Sequence, residues 1–542
     1  MSALAQVTRN EIRKTVNDKT ATELEAQARN LVRDGKLREA ATVCDAMNEQ
    51  FPDYGPGWYM TSRLALLVNE PLVGLETIGH ALRLSPGKPE WMLQQIECVG
   101  KAGDRKAATD LAQQLADHVF DSALYAAQFG NVLNHLGLLD DARRHYEHAC
   151  ELGPENGNYV YNLATVLHAL GDIEATERAL DRCLQLNADD PNALMFRANL
   201  RTQTESDNNL AELEAAYEHA ADNPKQRIRL CYALAKELDD VGEYRRSFDC
   251  IAEGAALRRQ ARDYDLQQDL DTIHAIRDVY GAEQLGRDIS GHINAEPIFL
   301  VGMPRSGSTL VSRVLDNHSV VKTLGEPMLF PQQVVDHCMR LPDMPAANAA
   351  DLASKSLAVD YAALGEDYIA ATRPVAGSTA HFVDAQPLNF MYIGFIRLAL
   401  PKAKIVLLRR EPMDMCFAIF KTLFDQTHPY SSDLEELAHY VVAHRELTDH
   451  WLQLMPDAIH VVNLEDLIAN PRQVIEDLFE YCSLSFEESC LHFFDPPGAA
   501  NPKPTQAYRA FSRVTIGKWK HYTEQLQPVA DILGKAGLLS DA

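Results

Sequence analysis

The residues with the clearest capacity for chemistry lie in the stretch Phe299–Leu310, which reads Phe-Leu-Val-Gly-Met-Pro-Arg-Ser-Gly-Ser-Thr-Leu. An apolar run short enough for a buried strand is followed by a Gly-rich turn and a segment that can begin a helix. Gly302, Gly307 and Thr309 match the phosphate-binding pattern G-x-x-x-x-G-K-[ST], but Ser308 occupies the lysine position. Such a turn directs backbone N–H groups and a helix N-terminus toward an anion. Because the lysine is missing, the motif predicts a cradle for a phosphate or sulfate ester and argues against ATP or GTP hydrolysis.

The nine residues Val301-Gly-Met-Pro-Arg-Ser-Gly-Ser-Thr309 resemble the loop by which sulfotransferases hold the 5′-phosphosulfate of PAPS (3′-phosphoadenosine-5′-phosphosulfate). The form Pro-Arg-Ser-Gly-[ST]-[ST] is similar to the branch that includes tyrosylprotein sulfotransferases and many bacterial proteins. The resemblance implies that the backbone of this loop binds the cofactor and that Arg305 adds positive charge at the reacting group. The cofactor-binding residues so implied are Pro304, Arg305, Ser306, Gly307, Ser308 and Thr309.

A carboxylate follows the next apolar run, in Thr323-Leu-Gly-Glu-Pro327. A carboxylate that leaves a strand beside a phosphate loop can accept a proton from a substrate hydroxyl. In the resembled family a Gly-Glu after this strand supplies the general base, which implies that role for Glu326, with a pKa raised by burial. Two alternatives stay open: Glu326 is only a loop acid before a proline, or His318, which precedes the strand, is the base.

The stretch Leu408-Arg-Arg-Glu-Pro-Met-Asp-Met-Cys-Phe-Ala418 resembles the family segment R-x-P-x-D-x-x-x-S, whose arginine and serine clamp a 3′-phosphate. Arg410 matches the arginine, and a guanidinium can grip phosphate through two hydrogen bonds. Ala418 stands in the serine position, which removes about 1 kcal/mol of hydrogen bonding. We therefore expect 3′-phosphate binding to weaken and not to vanish. Arg409 is expected to point to the other face of its strand, because adjacent strand residues alternate.

A second departure lies in Asp384-Ala-Gln-Pro-Leu-Asn-Phe390, which resembles the family segment Asp-Lys-x-Pro-x-Asn with Ala385 in place of the lysine. In relatives this lysine is thought to neutralise charge on the transferring sulfuryl group. Loss of one positioned donor of this kind typically costs about 10²–10³ in rate. Three outcomes stay open: Arg305 or Lys322 substitutes for the lysine, the enzyme is slow, or the domain does not catalyse.

Residues 502–522 contain no acidic side chain, which in a chain of net charge −26 favours an anion-facing segment. The end of this segment, Ile516-Gly-Lys-Trp-Lys-His-Tyr522, resembles the sulfotransferase Gly-x-Trp segment near the nucleotide. The resemblance implies that Gly517, Lys518 and Lys520 bind the cofactor, with Gly517 and Lys520 at its 3′-phosphate, while Trp519 packs the loop. The alternative is a solvated basic tail. The cations of the segment are Lys503, Arg509, Arg513, Lys518 and Lys520.

Short apolar runs that alternate with helical patterns must position these residues. The alternation predicts a P-loop-like α/β domain with a parallel sheet and helices on both faces. In such a sheet ligands bind beyond the carboxyl ends of the strands. The predicted strands are 298–302, 320–324, 380–383, 404–408 and 459–464, and the family resemblance covers residues 296–535.

The first half of the chain carries a 34-residue repeat. Five consecutive positions on one grid hold residues able to adopt the left-handed conformation that closes a helix. Small residues recur five positions further on, and prolines recur on a second grid, where they would end one repeat. Thirty-four residues is the period of the tetratricopeptide repeat (TPR), which this pattern resembles. The three sets are Gly35, Asn69, Gly103, Gly137 and Gly171; Ala40, Gly74, Ala108 and Ala142; and Pro52, Pro86 and Pro154.

We predict about six to seven repeats within residues 20–262. An N-terminal segment (1–19) precedes this α-solenoid, a connecting helix and linker (263–295) follow it, and the α/β domain occupies residues 296–542. Such solenoids usually present a concave groove to peptides or proteins, so a protein or peptide partner is expected. A purely structural or dimerising role is the alternative.

Composition limits the class of protein. A chain of 542 residues is too long for one core, and its net charge of −26 argues against nucleic-acid and anionic-lipid partners. No apolar run reaches the length of a membrane span, and the first ten residues lack a signal-peptide core. The ten cysteines show no zinc-type spacing and are typical of a reducing compartment. We expect a soluble cytoplasmic protein.

These observations predict a sulfotransferase that moves a sulfuryl group from PAPS to an acceptor hydroxyl, without a metal. Glu326 and Arg305 are the expected catalytic residues, and a tyrosine of a protein or peptide is the favoured acceptor. The alternative from another class is a non-catalytic scaffold, in which the repeats recruit a partner and a degenerate domain binds the nucleotide. A nucleotide kinase is disfavoured because Ser308 occupies the lysine position.

Overall fold

A computed structural model describes residues 19–286, 291–342, 344, 346, 348–424, 427–493 and 516–539, and the chain divides into two compact units between Asn187 and Ala188. Fourteen helices follow one another between residues 19 and 260, a stretch that the structure describes without a gap. They are α1 (Ala21–Arg33), α2 (Leu37–Gln50), α3 (Gly55–Leu67), α4 (Pro71–Leu84), α5 (Pro89–Lys101), α6 (Arg105–Leu115), α7 (Ala123–Leu136), α8 (Leu139–Leu152), α9 (Gly157–Ala169), α10 (Ile173–Leu186), α11 (Pro191–Leu200), α12 (Leu210–His219), α13 (Pro224–Asp240) and α14 (Tyr244–Gln260).

Six consecutive helix pairs pack as hairpins, the five from α1–α2 to α9–α10 and then α13–α14, whereas α11 and α12 each pack on α13. This arrangement confirms the predicted TPR-type solenoid. All five grid positions have positive φ, from +60° at Asn69 to +93° at Gly103, so each closes the first helix of its pair as predicted. The small residues five positions on are buried between helices: Ala40, Ala108 and Ala142 have no exposed surface. A Cβ at Gly74 would lie 3.0 Å from the Cys98 Sγ atom, so only a small residue fits there.

The second unit contains a five-stranded sheet in which every neighbouring pair is parallel, in the order β2-β3-β1-β4-β5. All five predicted strands are present, and no strand end differs from its predicted position by more than one residue. They are β1 (Pro297–Val301), β2 (Val321–Thr323), β3 (His381–Asp384), β4 (Lys404–Arg409) and β5 (Ile459–Asn463).

Helices cover both faces of the sheet, as predicted. Side chains of β1 alternate between two hydrophobic clusters: Phe299 and Val301 lie in one, and Ile298 and Leu300 lie in the other. The remaining helices of this unit are α15 (Leu266–Val279), α16 (Ala282–Leu285), α17 (Ser308–Asp316), α18 (Leu329–Met339), α19 (Ala349–Ser356), α20 (Tyr361–Ala376), α21 (Ile393–Ala399), α22 (Pro412–Phe420), α23 (Leu434–Leu454), α24 (Leu464–Ala469), α25 (Pro471–Cys482) and α26 (Gln527–Lys535).

The last repeat pair, α13 and α14, shares a core with the sheet. Tyr232 and Phe248 of this pair belong to the same hydrophobic cluster as Phe420 of α22. The Arg258 guanidinium, which is buried, donates to the Tyr232 hydroxyl at 2.9 Å and to the Phe424 carbonyl at 2.8 Å. The boundary predicted at residue 262 lies just after the end of α14, and the boundary predicted at residue 296 lies just before the start of β1. Packing divides the chain earlier, after residue 187.

Candidate functional site

The loop between β1 and α17 has the shape of an anion cradle. Gly302 packs against β4 so closely that a Cβ would lie 2.8 Å from the Leu408 carbonyl oxygen. Gly307 precedes α17 with φ +105°, and a Cβ there would lie 2.9 Å from the Leu464 Cδ1 atom. Ser308 begins α17, so its N–H group has no carbonyl one turn earlier and lies at the positive end of the helix. Arg305 has φ +66°, which is rare for a residue with a side chain.

A cavity of about 230 Å³ opens at this loop, beyond the carboxyl ends of β1, β2 and β4, which is where a parallel sheet predicts a ligand. It brings together segments that are far apart in the sequence. Its wall consists of Pro304, Arg305, Gly307, Ser308, Thr309, Glu326, Pro387, Arg410, Asp414, Phe417, Ala418, Lys421, Thr422, Phe424, Thr427, His428, Leu464 and Lys518.

Most of the predicted loop residues line this cavity, but Ser306 does not. Its side chain is 2% exposed, and its N–H group donates to the Met303 carbonyl oxygen at 3.3 Å. Ser306 therefore stabilises the turn from the buried side of the loop. The loop residues that form the cavity surface are Pro304, Arg305 and Gly307 to Thr309. The reason is geometric: in a tight turn one N–H group bonds back to the chain.

Glu326 lies at the exposed edge of the cavity wall, three residues after β2 ends. The protein around its carboxyl group removes part of the hydration and raises the pKa of Glu326, as a general base requires. Gln386 supports it: the side-chain amide donates to the Glu326 carbonyl oxygen at 3.2 Å. We did not predict this role for Gln386 from the sequence, although it lies within the Asp384–Phe390 motif.

His318, the alternative base, lies elsewhere. Its ring is buried, and Nε2 lies 2.8 Å from the Ser485 carbonyl oxygen. The ring packs edge-on against Phe479 and does not line the cavity. His318 is therefore a structural residue of the α17–β2 connection, and this alternative was wrong.

Arg410 lies directly after β4 and is 8% exposed. Its Nη1 donates to the Arg305 carbonyl oxygen at 3.0 Å, which joins this arginine to the anion loop. Burial lowers the pKa of Arg410, and the nearby carboxylates, of which Asp414 has the largest effect, oppose this. Arg409 points away, to Asp449 of α23, as strand alternation predicted.

The C-terminal segment reaches the cavity in a different way from that predicted. The Gly517 N–H donates to the buried Asp414 Oδ2 atom at 2.6 Å, so Gly517 fixes the segment and does not line the cavity. Lys518 lines it, whereas Lys520, two residues further along a turn of 3₁₀ helix, is exposed outside it. Of the two lysines that we predicted to bind the cofactor, Lys518 therefore faces the cavity and Lys520 does not. Trp519 packs against the core, and Lys503, Arg509 and Arg513 lie outside the described residues.

The two departures from the family pattern have different surroundings. Ala385 is 4% exposed within a hydrophobic cluster, and Ala418 lines the cavity. Lys322 does not replace the missing lysine, because its Nζ atom donates to the Val375 carbonyl oxygen at 3.1 Å, away from the cavity wall. Lys421 does line the cavity. It follows Ala418 by three positions, one helical turn, and this spacing could have identified it.

The cavity is strongly cationic. Burial lowers the pKa of Lys421 to about 8, and neighbouring Lys518, Arg305 and Arg410 contribute to this lowering. In a chain of net charge −26, a cavity with four cationic side chains fits a ligand with several negative charges. The part of the chain that the structure describes contains no group of three or more His, Cys, Asp or Glu side chains arranged to hold a metal ion. Nor does any described helix have the length and apolar character to cross a membrane.

Comparison with known proteins agrees with this geometry. Residues 297–488 match the model of the sulfotransferase family. An uncharacterized protein of Aquifex aeolicus is 26% identical over 395 residues, which are 71% of this chain and 51% of that protein. This chain thus spans about half the length of that relative. A putative protein-tyrosine sulfotransferase of Caenorhabditis briggsae is 23% identical over 206 residues, 37% of this chain and 70% of that protein.

Solved structures match the helical repeats. YrrB, a TPR protein with an unusual peptide-binding site, is 19% identical and covers 34% of this chain and 95% of its own, with a TM-score of 0.27. PilF of Pseudomonas aeruginosa is 13% identical and covers 43% of this chain and 97% of its own, with a TM-score of 0.31. Residues 297–488 of the α/β domain thus match the sulfotransferase family model, and a TPR-type helical solenoid precedes them.

Proposed function

We propose that this chain is a PAPS-dependent sulfotransferase that moves a sulfuryl group to an acceptor hydroxyl. The observation that carries the proposal is the single cavity in which an anion cradle, a carboxylate of raised pKa and four cations meet. A phosphate-binding loop alone would serve many nucleotides. The combination with Glu326 and Arg410 supports a doubly phosphorylated or phosphosulfated ligand beside a group that needs deprotonation.

Each group of residues in the cavity has its own role in this proposal. The loop from Pro304 to Thr309 would hold the 5′-phosphosulfate through backbone N–H groups, and Arg305 would neutralise charge that develops there. Arg410 and Lys518 would hold the 3′-phosphate. Bound PAPS supplies a sulfuryl group that is already activated. Glu326 would accept the proton of the acceptor hydroxyl as its oxygen bonds to the sulfur, while the bond from that sulfur to the 5′-phosphate oxygen breaks and PAP leaves.

We propose a protein or peptide tyrosine as the acceptor. The similarity to a putative protein-tyrosine sulfotransferase supports this class. The solenoid supports it as well, because arrays of helix pairs offer extended concave surfaces to polypeptides. Phe424, which is partly exposed, lines the cavity and gives an apolar surface against which an aromatic ring can pack.

The first test is calorimetric titration of the full chain with PAP (3′-phosphoadenosine-5′-phosphate), the desulfated product, with ATP as the control ligand. We expect micromolar binding of PAP, no comparable binding of ATP, and loss of PAP binding in Arg410→Ala. Absence of PAP binding by the wild-type chain would refute the proposal. Binding of PAP without transfer to any of a broad panel of tyrosine peptides and small hydroxyl compounds would instead support a non-catalytic, nucleotide-binding scaffold.

A further inference from the structure

Asp239, near the end of the repeat helix α13, lies directly behind two cations of the cavity wall. Its Oδ2 atom accepts a hydrogen bond from Lys518 Nζ at 2.7 Å and lies 3.9 Å from Lys421 Nζ. Its Oδ1 atom accepts one from the Tyr522 hydroxyl at 2.6 Å. The Asp239 side chain is 10% exposed and does not itself line the cavity.

The two lysines come from different parts of the chain and meet at the same oxygen of Asp239. Lys421 follows α22, and Lys518 belongs to the C-terminal segment, so Asp239 joins three distant parts of the chain at one carboxylate. Burial opposes ionisation of Asp239, but Lys421, Lys518 and Tyr522 outweigh it and hold the pKa of Asp239 below its ordinary value. The carboxylate is therefore charged at neutral pH.

We propose that Asp239 is a positioning residue, which holds Lys421 and Lys518 in the cavity wall and makes the last TPR helix pair part of the anion site. This inference rests on the proposed function and deepens it. The repeats contribute to donor binding, and not only to recruitment of the acceptor. Lys421 is in this view the cation that compensates for the absent lysine at 385 and the absent hydroxyl at 418.

The physical argument concerns preorganisation. A lysine side chain has four rotatable bonds, and fixing it on a ligand costs free energy. Where Asp239 fixes both ammonium groups beforehand, the ligand meets them already in place. Asparagine has nearly the same shape, but its amide group would lack the charge and could turn an N–H₂ group toward the lysines. Substitution should therefore release both side chains without leaving a cavity.

The test is a mutant cycle on the full chain, with PAP as the calorimetric ligand. We expect Asp239→Asn to weaken PAP binding about tenfold. In a background that carries Lys421→Met and Lys518→Met, the same substitution should cause no further loss, because Asp239 acts through those lysines. Asp249→Asn removes the same charge from the exposed face of α14 and should bind PAP like the wild type.

Thermal unfolding without ligand checks that each variant is folded. Should Asp239→Asn not fold, Tyr522→Phe removes the hydrogen bond that orients Asp239 and should give a smaller loss in the same direction. Wild-type or tighter PAP binding by the folded Asp239 variant would overturn the inference, and so would an equal loss in the background without the lysines. In both of these outcomes the wild-type chain still binds PAP. A wild-type chain that does not bind PAP would instead refute the proposed function itself.

Discussion

Arg410 donates from Nη1 to the carbonyl oxygen of Arg305 at 3.0 Å, although the two residues are separated by 105 positions in the sequence. The bond links the residue after β4 to the loop after β1. Because a guanidinium has five donors in a fixed plane, Arg410 can bond the loop and still present N–H groups to a phosphate. The two halves of the proposed donor site are thus held at a fixed separation.

Arg410→Lys tests this link. Lysine keeps the charge but lacks the planar set of donors, so it cannot hold the Arg305 carbonyl and a phosphate in the same geometry. We expect PAP affinity to fall by about tenfold or more, measured by calorimetry, since charged hydrogen bonds of this kind are worth about 1.5–3 kcal/mol. Affinity equal to that of the wild type would show that only the charge of Arg410 matters.

Glu326→Gln tests the general base. The amide preserves shape but accepts a proton far less readily, so we expect transfer to fall by about 10²–10⁴ while PAP affinity changes little. Single-turnover transfer assays and calorimetry measure the two effects separately. Glu366→Gln, an exposed substitution of the same type on α20, is the matched control. Unchanged turnover in the Glu326 variant would remove this residue from the mechanism.

The pKa of Lys421, lowered to about 8, predicts how PAP binding depends on pH. The ammonium form attracts the anionic ligand and predominates below that pKa. Above pH 7, where the phosphates of PAP are ionised, affinity should therefore decline as the pH rises through about 8, as calorimetry at several pH values would show. Lys421→Met should bind more weakly at neutral pH and lose this step. An equally large decline in PAP affinity in the Lys421→Met variant would show that a group other than Lys421 causes the pH dependence.

Asp384 is buried, and it accepts hydrogen bonds from the Tyr368 hydroxyl at 2.9 Å, the Gln386 N–H at 3.1 Å and the Asn389 amide at 2.9 Å. Asp384→Ala would leave these three donors without their acceptor. We expect a loss of at least about 2 kcal/mol in the free energy of unfolding, measured with urea. Asp384→Asn keeps one acceptor oxygen and should lose less. An Asp384→Ala variant as stable as the wild type would contradict the stabilising role of these three hydrogen bonds.

The same residue predicts a pH effect on stability. Burial raises the pKa of Asp384 to about 7, above that of an unfolded aspartate. A raised carboxyl pKa means that the folded state binds the proton more tightly, so the contribution of Asp384 is largest at acidic pH. It declines as the pH rises toward and through 7. The stability difference between wild type and Asp384→Asn should shrink over this range.

Periodicity made the fold predictable. The 34-residue grid identified the left-handed residues from Gly35 to Gly171, because few residues other than glycine and asparagine tolerate that conformation. The apolar runs gave all five strands, since the strands of a sheet covered on both faces are nearly continuous in hydrophobicity. The union of the last helix pair with the sheet could not be predicted. Contacts such as that between Arg258 and the Phe424 carbonyl depend on tertiary packing and have no local signal.

Local motifs in the sequence singled out the loop, Glu326 and Arg410, and the structure places all three at one cavity. The lining of the cavity was less predictable where it depends on the direction in which a side chain points. Which of Lys518 and Lys520 faces the cavity depends on a short 3₁₀ turn that begins after a glycine with φ +77°. Asp239 is an acidic residue in a repeat helix, and sequence alone gives no reason to place it behind a cationic cavity.

The shared core predicts where the chain can be cut. A fragment of residues 188–542 retains α13 and α14 and should unfold cooperatively, as followed by circular dichroism. A fragment of residues 263–542 loses the partners of Phe420 and exposes apolar surface, so it should aggregate or unfold at a clearly lower temperature. Equal thermal stability of the two fragments would show that the last helix pair is dispensable.

The order of the strands in the sheet predicts very different local stabilities for β1 and β2, the two strands that lead to the anion loop and to Glu326. β1 is central, and all five of its residues are buried, so its amide protons should exchange only through global unfolding. β2, which leads to Glu326, is a three-residue edge strand that can fray alone. In the function that we propose, the donor side of the cavity is thereby rigid and the acceptor side compliant, an asymmetry suited to one constant donor and acceptor chains of varied sequence.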